Sequence, residues 1–442
     1  MDLASLIIAL VNVAVVMFVL LNLAGMLTWV ERKQGALMAN RIGADRAYIP
    51  LPVPKKGTDG TTKLGWTKRF TLIGLFHTIA DGGKMILKED FRPPFVDKVI
   101  YTIAPWFAVV PVFVAFAVVP YGGSVQPGHL LDGLADKYAF IEPARDALYG
   151  LFGSTIHTLQ VADLDIGILF VFAVGSMGVF AAALAGWSSN NKFSLLGALR
   201  ASAQMISYEV FVGLSVLPFF MLHGSLDLGV VSANQSNDIW LWGIIAQFPM
   251  LFVFLAGNMA ENKRVPFDMP ENESELVAGY MTEYSAMKMG LFMMSEFIEI
   301  AVISGLVATL FLGGYSVPGL LVVEQNGLLS GTLFGTEVSH LTVVILHVLS
   351  FWTKVIALSL FQILIRWTVP KFRYDQVMYL GWRIMLPLCI VNLLVTAGMV
   401  AFEAPAWAVG VGSLVAFVIA VTIGSKAGSY AKQSSEPMRR AA

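Results

Sequence analysis

Apolar runs long enough to cross ~30 Å of hydrocarbon recur along this 442-residue chain. They fall near residues 4–30, 99–120, 164–187, 198–222, 238–260, 286–313, 340–367, 381–402 and 405–424. Inside a bilayer the backbone must satisfy its own hydrogen bonds, so each run predicts a helix. The pattern is that of an all-α polytopic membrane protein with about nine transmembrane helices. A single integral membrane domain covers 1–426, and 427–442 is a polar cytoplasmic tail. The first run is too long for a signal-peptide core and ends in Glu31-Arg32-Lys33, so it reads as a retained span.

Between the first two spans the pattern changes twice. Residues Pro50 to Gly65 are rich in Pro, Gly, Lys and Thr and read as an irregular surface loop. From Thr71 to Asp90 the period becomes helical: Leu72, Phe76, Ile79, Gly83, Ile86 and Leu87 share one face, and His77, Asp81, Lys84 and Lys88 share the other. This predicts an amphipathic helix, 71–90, lying on the cytoplasmic membrane surface against lipid.

Lysine and arginine decide the orientation. With the N-terminus outside, 26 of the 29 lie in segments 31–98, 188–200, 261–288, 366–383 and the tail after 424, which are then cytoplasmic. The outward loops hold only Lys137 and Arg145, and Lys354 lies within a span.

Composition agrees with the class: mean hydropathy is +0.71 and 13% of residues are charged. The net charge of -1 lends no support to nucleic-acid binding. A single cysteine, Cys389, excludes an intrachain disulfide or a four-cysteine iron-sulfur cluster. The six histidines form no HExxH motif, and no Walker loop or strand-borne GxGxxG is found. No metal, haem, flavin or iron-sulfur cluster is therefore expected here, and any electrons must come from a partner.

Against this background the buried charges stand out, because a charge at the bilayer centre costs at least ~2.5 kcal/mol. Glu209 falls in the fourth span, Glu296 and Glu299 in the sixth, and Lys354 in the seventh with His347 and His340 at seven-residue steps. One lysine cannot neutralise three glutamates, so the set reads as a proton path; a structural ion pair with Lys354 is the plainer alternative. The stretch 261–285, ENKRVPFDMPENESELVAGYMTEYS, adds Glu261, Asp268, Glu271, Glu273, Glu275 and Glu283 between two apolar runs. Its charge suits either coupling to that path or docking of a partner.

These segments, with Arg41-Ile42-Gly43, IADGGKMILKED (79–90), AQMISYEV (203–210) and RWTVPKFRYDQVMYLGWRIMLPL (366–388), closely resemble the H subunit of NADH-quinone oxidoreductase, respiratory complex I. The resemblance implies a non-redox subunit of a proton-translocating translocase in the bacterial inner membrane, bearing no catalytic activity alone. It implies a quinone, ubiquinone or menaquinone, bound at the interface with peripheral-arm iron-sulfur and quinone-site subunits. Antiporter-like and small membrane-arm subunits are the other implied partners. By the same resemblance Arg32, Arg41, Asp81, Lys84, Arg264, Phe267 and Asp268 line the quinone chamber. Glu209, Glu261, Glu271, Glu273, Glu275, Glu283 and Glu296 form a carboxylate path, with Lys354 and His347 leading onward. Glu299 is an acid that the family pattern does not supply. The chain also departs from that pattern at Ala44-Asp45, at His77-Thr78 and in roughly 20 additional residues around Ile49 to Phe70.

Two other functions share some of these features. The equivalent membrane subunit of a hydrogenase or formate hydrogenlyase complex would bind no quinone, and the chamber arginines speak against it. A stand-alone ion-coupled transporter should show two matching halves, and no such repeat is present. Electrostatics can carry the coupling: one unit charge 10 Å from a carboxylate changes its energy by ~1.7 kcal/mol at an effective dielectric of 20.

Overall fold

The computed structural model describes residues 3–56, 62–135, 138–153, 155–270, 276–325, 328–333 and 335–422. The expected tail and Glu271, Glu273 and Glu275 lie outside the described residues. Seven helices are long and apolar enough to span a membrane: α1 (Leu3–Met38), α3 (Lys98–Phe116), α4 (Gly167–Ser188), α5 (Lys192–His223), α7 (Ala286–Phe311), α8 (His340–Thr368) and α9 (Tyr374–Ala401). Two shorter apolar helices, α6 (Phe248–Glu261) and α10 (Ala406–Thr422), complete the bundle, and α2 (Phe76–Leu87) is the amphipathic helix between α1 and α3.

The bundle is organised around α7. In its most apolar window 78% of residues are buried inside the protein, against 17% for α1. Helices α1, α2, α3, α6 and α8 pack around it. Local chemistry sets the ends of its neighbours. Asp97 caps α3 by accepting from Val99 N and Ile100 N, and Asn191 caps α5 through Phe193 N. Helix α5 stops at Gly224, whose φ of 67° suits glycine.

Three features differ from the pattern reading. The run 238–260 is not one continuous helix: a short turn, Gly243–Ala246, ends at Gln247, and α6 starts afresh with Pro249 in its first turn. The break is tolerated because Gln247 is buried among polar partners. It donates to Thr396 Oγ1 at 2.9 Å and accepts from Asn392 Nδ2 at 2.7 Å, while Ser413 donates to Asn392 Oδ1 at 2.6 Å. At 14 residues, α6 is only ~21 Å long.

Second, the loop expected at 50–65 is a β-hairpin, β1 (Ile49–Lys56) against β2 (Thr62–Phe70), with a bulge between Leu51 and Pro52. Prolines 50, 52 and 54 alternate, so the N–H groups they lack are all on one edge of the strand. The other edge keeps its donors for the ladder. Third, the surface helix is shorter than the predicted 71–90. A turn at Leu72–Gly74 precedes it, and Gly74, at φ 91°, passes so close to the Ala44 carbonyl that no side chain would fit.

Candidate functional site

Helix α7 carries three functional faces, and they separate the charges that the sequence groups together. Gly290, Met293, Met294 and Phe297 line an apolar crevice of about 350 Å³ shared with α1 and α2. Its walls include Leu21, Met85 and Ile86, and its rim carries Glu31, Arg32 and Asp81. Arg32 Nη1 pairs with Asp81 Oδ2 at 2.6 Å, joining α1 to α2 across that rim. Thr78 Oγ1 donates to Gly25 O at 3.2 Å and fixes the other end of the same contact. A wider recess of about 980 Å³ adjoins, lined by Glu31, Arg32, Arg41, Arg46 and His77. The crevice therefore has an apolar floor and a charged rim.

The second face holds a buried ion-pair centre. Arg264 Nη1 stands 2.7 Å from Glu31 Oε2, and its Nε lies 3.4 Å from Glu296 Oε2, an ion-pair distance without hydrogen-bond alignment. Arg366 pairs with the other oxygen of Glu31. The Arg264 guanidinium also lies 4.0 Å from the centroid of the Phe297 ring. The side chains of Arg264, Glu296 and Glu31 are 9%, 8% and 14% exposed, so these charges depend on one another rather than on solvent.

On the third face Ser295, Glu299, Val302 and Leu306 line a separate cavity of about 70 Å³, which has room for several waters. Glu209 from α5, Glu261 at the end of α6, Asn258 and Lys263 complete its polar lining. Ala108, Pro111, Val171 and Phe172 of α3 and α4 form the apolar wall. Three carboxylates from three helices thus meet in one water-sized space.

The segment between α6 and α7 builds the junction of the last two faces. Gln204 Nε2 donates to both Ala260 O and Phe267 O at 2.7 Å, pinning the two ends of the turn, and Asn262 Nδ2 donates to Glu296 O at 3.2 Å. Asn262, Lys263 and Arg264 are all buried. The first third of the acidic stretch is thus interior structure, folded under the bundle's end.

The match to known proteins bears on this geometry. Residues 10–397 match the NADH dehydrogenase family. Proteins named as the H subunit of NADH-quinone oxidoreductase share the whole length: that of Koribacter versatilis is 39% identical over 402 residues, 90% of this chain and 98% of its own. Those of Geobacter metallireducens and Flavobacterium psychrophilum are 38% and 37% identical over 388 and 385 residues, 88% and 87% of this chain and 94% of each relative. The chain belongs to the H-subunit family of NADH-quinone oxidoreductase.

It is accordingly a membrane subunit of respiratory complex I. Within that frame the expected site residues separate into groups. Arg32, Arg41 and Asp81 lie at the crevice and its recess, whereas Lys84 is exposed and lines neither. Arg264 is in the ion-pair centre. Phe267 and Asp268 face away from the crevice: Phe267 packs between Tyr208 and Phe372, and Asp268 pairs with Lys371 at 3.0 Å, so they hold the PKFRYDQ segment in place.

Glu296 and Glu299, three apart and so only ~60° apart around α7, still enter different spaces: Glu296 lies against Arg264, and Glu299 lines the cavity. Glu283 stands apart from the cavity, accepting from Asn191 Nδ2 at 2.7 Å. Among the described residues Lys354 pairs with no glutamate; its ammonium donates to Gly314 O and Ser316 O at 2.9 and 2.8 Å, beyond the far end of α7. His347 is buried beside Tyr315, and among the described residues neither ring nitrogen has a hydrogen-bond partner.

Glu31, Arg366 and Lys263 are site residues that the sequence pattern does not single out. Glu31 and Arg366 each end an apolar run, where a charge is ordinary, and 335 positions separate them. The start of α2 also reaches the loop that follows Ala44-Asp45. His77 Nε2 accepts from Arg46 N and Ala47 N at 3.0 and 3.1 Å, so the helix start holds the loop across the recess.

Proposed function

We propose that this subunit forms the membrane end of a quinone chamber and passes the charge state of that chamber to a proton-binding cavity inside the bilayer. The observation that carries this reading is the double position of Glu31. It lines the crevice and also pairs with Arg264, which contacts Glu296, one helical turn from Glu299 in the cavity.

The crevice suits a quinone. Its methionine, leucine and phenylalanine walls match an isoprenoid tail, and Arg32 with Asp81 offers polar partners for the approach of the headgroup. Peripheral-arm iron-sulfur and quinone-site subunits supply the electrons and close the chamber above the recess. The chain lies with its N-terminus outside and its C-terminus in the cytoplasm, and it abuts the antiporter-like and small membrane-arm subunits.

When quinone takes up two electrons and two protons, the charge at the rim changes. A unit change 10 Å from a buried carboxylate is worth ~1.7 kcal/mol at an effective dielectric of 20, about an 18-fold change in its proton occupancy. Glu209, Glu261 and Glu299 share one cavity and respond as a set. Waters there let a proton move among them, and Lys354 and His347 continue the route outward. Glu283, with Glu271, Glu273 and Glu275, forms the cytoplasmic side of the same acidic stretch.

The test is proton pumping by the assembled complex with Glu209→Gln. Reduced pumping and reduced coupled quinone reductase activity support the reading; wild-type values for both refute it.

A further inference from the structure

The turn that joins α6 to the ion-pair centre presents two successive cations to two different spaces. Lys263 has φ 58°, a left-handed conformation that non-glycine residues rarely adopt. Its consequence is that Lys263 lines the cavity of Glu209, Glu261 and Glu299 while Arg264 enters the pairs with Glu31 and Glu296. The hydrogen bonds from Gln204 and Asn262 hold the turn as one piece. A shift of Arg264 is therefore a shift of Lys263.

Among the described residues Lys263 is the only cation lining the cavity, opposite three carboxylates. Among the described residues it has no hydrogen bond and no ion pair within 4 Å; its ammonium rests 5.6 Å from the centroid of the Tyr280 ring. The walls from α3 and α4 supply no charge to the described lining, and Arg264 and Glu296 are the other charges that act on Glu299. The position of one ammonium thus sets how strongly the three carboxylates repel.

We infer that Lys263 is a positioning residue for proton uptake, the mobile counter-charge of the cavity, matched to Glu299 and moved through its backbone link to Arg264. This deepens the reading proposed above and rests on it. With the lysine held near Glu299 and Glu261 the set carries more negative charge; with it withdrawn toward Tyr280 the set takes up protons. Motion of the Arg264 pairs at the chamber thereby loads or unloads the cavity.

A double-mutant cycle in the purified complex, reconstituted in vesicles, tests this. Lys263→Met keeps side-chain length without charge, Glu299→Gln removes the matched acid, and Lys263→Arg keeps the cation. Rates and pumping are measured per assembled complex, so loss of assembly is scored apart from loss of coupling. Each single neutralisation is expected to lower coupled turnover. The double variant should exceed the product of the single effects by at least about fivefold, and Lys263→Arg should retain most of the activity. The pH profile should move in opposite directions in the two single variants and return toward wild type in the double. Independent effects of the two substitutions, or equal loss in Lys263→Met and Lys263→Arg, overturn the inference. Glu209→Gln, measured alongside, separates the cases: impaired coupling there with independent effects at 263 and 299 leaves the proposed function standing and removes only this one.

Discussion

Arg264 Nη1 and Glu31 Oε2 stand 2.7 Å apart although 233 positions separate them in the chain, and that pair is where the crevice meets the membrane interior. Arg264 also faces Glu296, so one planar guanidinium spans two buried carboxylates. Removing it as Arg264→Ala leaves Glu296 uncompensated and Glu31 with Arg366 alone, a loss expected to cost ~3–5 kcal/mol and to show as less assembled complex on native gels. Arg264→Lys keeps the charge but not the fork. It should assemble better than the alanine variant yet turn over more slowly per complex.

The crevice should be sensitive to volume. Met85 of α2 packs so closely on Gly290 of α7 that a Cβ on the glycine would come within 2.6 Å of the Met85 sulfur, and both residues line the apolar space. Met85→Trp narrows that space and is expected to raise the KM for quinone several-fold more than it lowers kcat, as steady-state kinetics with a short-chain quinone would show. Equal effects on both parameters would place Met85 outside the quinone's path.

Asp81→Asn weakens the pair with Arg32 at the rim. Those side chains are 33% and 47% exposed, so water screens them and stability should change by less than ~1 kcal/mol. The effect is expected in quinone binding instead. A Tm of the complex unchanged within a degree or two, together with a raised KM, is the anticipated combination.

Past its C-terminal end, α2 is tied to the start of α7 by Asp90 and Lys288, whose ammonium reaches both carboxylate oxygens at 3.0 and 2.9 Å. The hydrogen bond from Lys288 holds the Asp90 carboxyl below its ordinary value of 3.8. A depressed carboxylate contributes above its unfolded value and loses that contribution as pH falls through the folded one, so the tie is intact throughout the range above 3.8. Lys288→Met should therefore speed amide exchange in 76–87 equally at pH 6 and pH 8, once intrinsic rates are corrected. A pH-dependent difference in that interval would mean another group holds α2.

Much of this was legible in the sequence, for physical reasons that differ from element to element. Seven spans follow from length and apolarity alone, since the bilayer leaves a helix no alternative. The break at Gln247 was not legible, because what permits it are Asn392 and Thr396 on a distant helix. The hairpin at 49–70 was hidden by prolines that argue against a strand until their alternation places every missing donor on one edge. Glu296 and Glu299 looked like one site, and only their partners, Arg264 for one and the cavity lining for the other, assign them to two. Glu31 and Arg366 were visible as charges but not as partners, since nothing local links residues so far apart.

The claim on which the rest depends is that the cavity carboxylates carry protons in step with quinone chemistry at the crevice. The most direct measurement is the number of protons moved per quinone reduced, in vesicles containing the assembled complex with Glu209→Gln. The account expects that ratio and the coupled turnover to fall while assembly stays at wild-type level. An unchanged ratio at unchanged turnover would contradict it.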